Sequence, residues 1–193
     1  MHPVIVMLGD SLTAGYGLPP RDALPEQLQT RLDRRAIPAT IVNAGVSGDT
    51  TRGGLERYGW SVSGAGADIL IVALGANDFL MGLSADQTRK NLSAIIERAR
   101  EDGVAVALVG VAMHTDRPDS RERSFAAVYR DLSSKYGVPL FPDLMAPVSG
   151  RAGFLQQDGL HPTSQGVGLV ADNLEGFVAD RAIAWRKAHP NTP

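Results

Sequence analysis

A serine hydroxyl attacks a carbonyl well only when a base takes its proton, so a suitably placed histidine is the first requirement for acyl-transfer chemistry. The chain has four. His2 and His189 lie near the chain ends, where order is usually poor. His114 follows an apolar run but has no carboxylate close before it. His161 stands three residues after Asp158 in the segment Asp158-Gly159-Leu160-His161-Pro162. A carboxylate at that spacing can accept a hydrogen bond from the imidazole and fix its tautomer. Taken alone, the same pair could equally shape a turn ahead of a helix.

Ser11 is the matching nucleophile candidate. It lies in Gly9-Asp10-Ser11-Leu12-Thr13-Ala14-Gly15, directly after an apolar run, with small neighbours that let a substrate approach. A serine there is often only a helix cap. Acyl transfer also needs preorganised N–H donors where the oxyanion forms. The Ser11 amide, the Gly48 amide and the Asn77 side-chain NH2 are the candidates, although Gly48 could be a turn glycine and Asn77 an Asx-turn residue. Asp10 and Asp78 flank these positions and are read as structural carboxylates that bind loop amides. The pentad Gly9-Asp10-Ser11-Leu12-Thr13 is not the G-x-S-x-G elbow of α/β-hydrolases.

Short apolar runs must position these groups. They cover Val4 to Leu8, Thr40 to Val42, Ile69 to Leu74, Ala105 to Val111 and, more weakly, Pro139 to Phe141. They do not alternate with polar residues, the pattern of strands buried on both faces of a parallel sheet. Between them run amphipathic segments at Leu24 to Arg35, Ala85 to Arg100, Arg121 to Tyr136 and about Thr163 to Lys187. A segment at Thr50 to Ser61 is weakened by three glycines. Alternating strands and helices predict a three-layer α/β/α fold around a five-stranded parallel sheet, with residues 1–193 as one domain. Ligands bind such sheets at the carboxyl ends of the strands, where the Ser11, Gly48 and Asn77 segments fall. The long stretch from Asp143 to His161 reads as a loop. Phe79, Leu80 and Met81 follow Asn77, and Phe154 and Leu155 precede Asp158. They either line an acyl-chain groove or bury themselves against the helices.

In order and spacing, Gly9-Asp10-Ser11-Leu12, the stretch around Gly45 and Gly48, Gly75-Ala76-Asn77-Asp78 and Asp158-Gly159-Leu160-His161-Pro162 resemble the conserved blocks of the SGNH hydrolases, the GDSL esterase and lipase family. The stretch Asn43 to Thr51 is similar to the branch containing acyl-CoA thioesterase I, lysophospholipase L1 and arylesterase. The resemblance implies a flavodoxin-like sheet, a catalytic triad of Ser11, Asp158 and His161, an oxyanion hole of Ser11, Gly48 and Asn77, and no metal or other cofactor. It also implies small acyl esters or thioesters as substrates, with lysophospholipids as a further class.

The bulk properties exclude several other classes. The 193 residues are 44% hydrophobic and 21% charged, with a net charge of −2. That is not the basic balance of a nucleic-acid binder. No apolar run approaches the roughly 20 residues of a membrane span. The absence of cysteine removes disulfides and thiolate metal sites. No phosphate-binding glycine motif follows a strand. Met1-His2-Pro3 carries no export signal, so a cytoplasmic location is expected, or a periplasmic one if such a signal preceded this chain. A carbohydrate O-deacetylase of the same family and a non-catalytic α/β binding protein are the alternatives.

Overall fold

The computed structural model describes residues 2–111 and 119–190. His114 lies outside them. Five strands, β1 (Val4–Gly9), β2 (Thr40–Gly45), β3 (Ile69–Ala73), β4 (Ala105–Val109) and β5 (Leu140–Phe141), form an all-parallel sheet in the order β2-β1-β3-β4-β5. This is the flavodoxin-like order, with the switch point between β1 and β3, where the connections diverge to either side.

The unbroken apolar runs are explained by burial on both faces. Ile5, Met7, Ile69 and Ile71 point into one core layer, and Val6, Leu8, Leu70 and Val72 into the other. Helices α2 (Leu24–Arg34) and α7 (Ser164–Ala188) cover the first layer with Leu28, Leu32, Val170 and Leu174. The second is covered by α5 (Ala85–Glu101) and α6 (Ser120–Tyr136), through Leu92, Ile95, Val128 and Leu132. Both α5 and α6 start in capping boxes, Ser84 with Gln87 and Asp119 with Glu122, which satisfy backbone donors at the first turn.

Three short helices carry or adjoin the strand-end segments: α1 (Ser11–Ala14), α3 (Thr51–Glu56) and α4 (Ala76–Leu80). The glycine-weakened segment gives only the six residues of α3 and then a π-helical turn over Gly59–Ser63. β2 is an edge strand and is not buried on both faces, since Thr40 and Asn43 are exposed. The stretch from residue 143 to 161 contains no helix or strand. It is nevertheless packed, because Leu144, Met145 and Val148 enter the first core layer.

Asp10 turns the chain from β1 into α1. Its Oδ1 accepts the Leu12 amide at 3.0 Å, while Oδ2 has no hydrogen-bond donor among the described residues. The residue is 1% exposed. Burial pushes its carboxyl up to about 6, against the smaller opposing pull of the Leu12 amide and His161. A carboxyl with a raised folded-state pKa costs stability as pH climbs from the unfolded value toward the folded one, and the full cost is present above it. Asp10→Asn keeps an acceptor for Leu12 and removes the charge. Relative to the wild type it is expected to gain on the order of 2–3 kcal/mol between pH 4 and pH 7. Denaturant midpoints at the two pH values check this, and a pH-independent difference would contradict it.

Candidate active site

The residues after β1, β2 and β3 and those before α7 meet at the carboxyl edge of the sheet. Ser11 is the first residue of α1, and its Oγ lies 2.8 Å from His161 Nε2. His161 Nδ1 lies 2.6 Å from Asp158 Oδ2. The other oxygen, Asp158 Oδ1, accepts the amides of Leu160 at 2.9 Å and His161 at 3.0 Å. One carboxylate thus folds its own turn and orients the ring three residues on. These bonds, led by that from the His161 ring, hold the Asp158 carboxyl down at about 2, so it remains ionised through the neutral range.

The His161 segment is fixed from further sides. The Gln156 amide donates to the His161 carbonyl at 2.7 Å. Gln156 Nε2 donates to the carbonyls of Tyr16 at 2.8 Å and Pro162 at 3.0 Å. The Tyr16 ring lies against the imidazole with centroids 4.5 Å apart. Tyr16 and Gln156 went unnoticed in the sequence, because neither type at those positions signals a bond across 140 residues.

Gly48 and Asn77 face the same space. Gly48 has φ of +81°, the left-handed region, and a Cβ there would meet no atom within 4 Å. The glycine is required by backbone conformation, not by crowding. Asn77 Nδ2 donates one hydrogen to the Asp49 carbonyl at 2.8 Å. An amide NH2 has two, and among the described residues no acceptor is seen for the second. The next residue, Asp78, is fully buried and accepts from the Thr51 amide at 2.8 Å and from the hydroxyls of Thr51 and Thr88. It ties α4 to α3 and α5.

These groups open on a cavity of about 390 Å³ that Ser11, Gly48, Asn77 and His161 line together with mainly apolar side chains. Of the five residues expected at an acyl groove, Leu80 and Leu155 line it. Phe79, Met81 and Phe154 do not. Phe79 packs edge-on against Phe125 under the Arg121 guanidinium. Phe154 lies against the first core layer beneath Arg151, and Met81 is solvent-exposed. Leu12, Tyr16, Val111, Met145 and Leu160 take their places. Among the described residues no three His, Asp or Glu side chains cluster as metal ligands, and no helix is long and apolar enough to cross a membrane.

Residues 7–169 match the GDSL-like lipase/acylhydrolase family. The chain is 31% identical over 170 residues to the esterase TesA of Pseudomonas aeruginosa, covering 88% of this chain and 85% of that one. It is 30% identical over 168 residues to thioesterase 1/protease 1/lysophospholipase L1 of Escherichia coli, covering 87% and 79%. The crystal structure of TesA superposes with a TM-score of 0.86 at 28% identity, covering 91% of this chain and 97% of that one. A profile that spans the strand-end segments and the His161 turn, together with relatives aligned over most of their own length, places this chain in the GDSL-like lipase/acylhydrolase family as a serine-based carboxylic ester hydrolase.

Proposed function

We propose that the chain cleaves small acyl esters and acyl thioesters through an acyl-enzyme on Ser11. The observation that carries this reading is the unbroken hydrogen-bond chain Asp158–His161–Ser11, which ends in a cavity with an apolar lining. His161 removes the Ser11 proton as Oγ attacks the acyl carbonyl. The oxyanion is received by the amides of Ser11 and Gly48 and by the free hydrogen of Asn77 Nδ2. His161 then protonates the leaving alcohol or thiol. Water, deprotonated by the same ring, releases the carboxylic acid. Asp158 stays ionised and holds the imidazole in the tautomer that presents a bare Nε2 to Ser11.

The substrate class follows from the walls. A cavity near 390 Å³ falls within the roughly 300–1,000 Å³ usual for small-molecule sites. Its apolar contributors, Leu12, Leu80, Val111, Met145 and Leu155, suit an acyl chain better than a sugar. Lysophospholipids fit the same description as acyl esters with a polar leaving group.

Three measurements test this reading. Ser11→Ala should abolish turnover of p-nitrophenyl esters and block covalent labelling by a fluorophosphonate while melting like the wild type. Retained labelling would remove Ser11 as nucleophile. Asn77→Ala should lower kcat on the order of 10²–10³-fold, the usual cost of one oxyanion donor; a loss under about twofold would take it out of the hole. Across p-nitrophenyl esters from acetyl to dodecanoyl, kcat/KM should climb by up to about fourfold per methylene until the cavity is full, from about 0.8 kcal/mol per buried CH2. A clear preference for acetyl would favour the deacetylase reading instead.

A further inference from the structure

We infer that Arg57 is a positioning residue for the oxyanion hole: its guanidinium fixes the Gly48–Asp49 main chain, and through it the Asn77 amide, against the strand end that carries Ser11. This rests on the roles proposed above for Gly48 and Asn77.

Arg57 follows the last residue of α3 and does not line the cavity. Its fork reaches three separate places. Nε donates to Asp49 Oδ2 at 2.7 Å, Nη1 to Ser61 Oγ at 3.0 Å, and Nη2 to the Gly9 carbonyl at 3.0 Å. Gly9 ends β1, two residues before Ser11. Asp49 follows Gly48 directly, and its own carbonyl is the acceptor that orients the Asn77 amide. One side chain therefore sets the distance between the nucleophile segment and both non-serine donors.

The arrangement is shielded and crowded. The Arg57 side chain is 20% exposed and that of Asp49 11%, so water competes weakly for the pair. The fit around the carboxylate is tight: a Cβ on Gly53 would fall 1.8 Å from Asp49 Oδ1. Even alanine at position 53 would displace the carboxylate that Arg57 grips. An ammonium is a point charge and cannot reproduce a planar fork aimed at three acceptors.

Hydrogen bonds to an oxyanion are effective only when the donors are already in place, and a displacement near 1 Å at a reacting centre can cost on the order of 10² in rate. Loosening this brace should therefore lower kcat with little change in KM, because the ground-state acyl chain sits against other residues. The test is steady-state kinetics with p-nitrophenyl butyrate on the full chain for Arg57→Lys, Arg57→Met, Asn77→Ala and the Arg57→Met/Asn77→Ala double variant, each checked by circular dichroism and melting. Arg57→Met should lose about 10–100-fold in kcat with KM within about threefold, and Arg57→Lys should lose less. In the double variant the loss should be clearly smaller than the product of the single losses, because both changes disable the Asn77 donor. Multiplicative losses, or a loss expressed mainly in KM, would overturn the inference and leave the hole intact. An Asn77→Ala variant with full activity would overturn the hole itself. If Arg57→Met does not fold, Arg57→Lys decides alone, with kcat within twofold of wild type counting against the proposal.

Discussion

The 2.8 Å contact between Ser11 Oγ and His161 Nε2 joins side chains 150 positions apart, and much of the molecule serves to keep it short. Ser11 is the easier half. It emerges from β1, a strand hydrogen-bonded on both sides and fully buried from Ile5 to Leu8, so its backbone has little freedom. His161 belongs to a segment without helix or strand, where ordering a residue costs about 1–2 kcal/mol of backbone entropy. That cost is offset locally. Asp158 folds the turn, Gln156 latches both sides of it, Tyr16 covers the ring, and Thr163 caps α7 immediately after. The apolar side chains of Leu144, Met145 and Val148 anchor the preceding stretch in the core.

Carboxylates at this edge are assigned by environment and not by type. Asp158 is partly open to solvent and bound by one ring and two amides, so its charge is held and its carboxyl sits low, at about 2. Asp10 is almost wholly buried and its carboxylate accepts the Leu12 amide, and burial carries it up to about 6. The first can hold an imidazole in register through the neutral range. The second carries an electrostatic cost inside the β1–α1 corner, next to Ser11. Asp78 is as buried as Asp10 but receives three donors and serves to lock α4 against α3 and α5.

The strands and long helices were legible because their burial is simple. A strand covered on both faces reads as an unbroken apolar run, and a helix covered on one face reads as a stripe. β2 departs from that rule because it forms the edge of the sheet, which an apolar triplet cannot reveal. The segments around Ser11, Gly48 and Asn77 could be found because they follow apolar runs directly, and that around His161 because a carboxylate stands three residues before the ring. What the sequence hid are the contacts that depend on tertiary approach. Nothing in Arg57 announces the carbonyl of residue 9 as its partner, and nothing in Gln156 announces Tyr16. The two readings left open for the aromatic residues were undecided for the same reason. Phe79 and Phe154 have the right chemistry for an acyl groove, but Arg121 and Arg151 lie over their rings and the helices and core take their edges.

The cavity draws its two kinds of wall from different sources. Its polar groups stand at strand ends or on a turn braced by several hydrogen bonds, which hold them in place. Its apolar groups include Leu80 at the end of a short helix, Met145 and Leu155 in the irregular 143–161 stretch, and Leu160 within the turn itself. Loop positions tolerate changes of size that strand positions do not. Leu160, inside the hydrogen-bonded turn of Asp158 and His161, and Tyr16, against the His161 ring, both line the cavity, so they link its shape to the placement of that ring. On the function proposed above, acyl preference would shift through Leu80, Met145 and Leu155 while the contact between Ser11 and His161 stays the same.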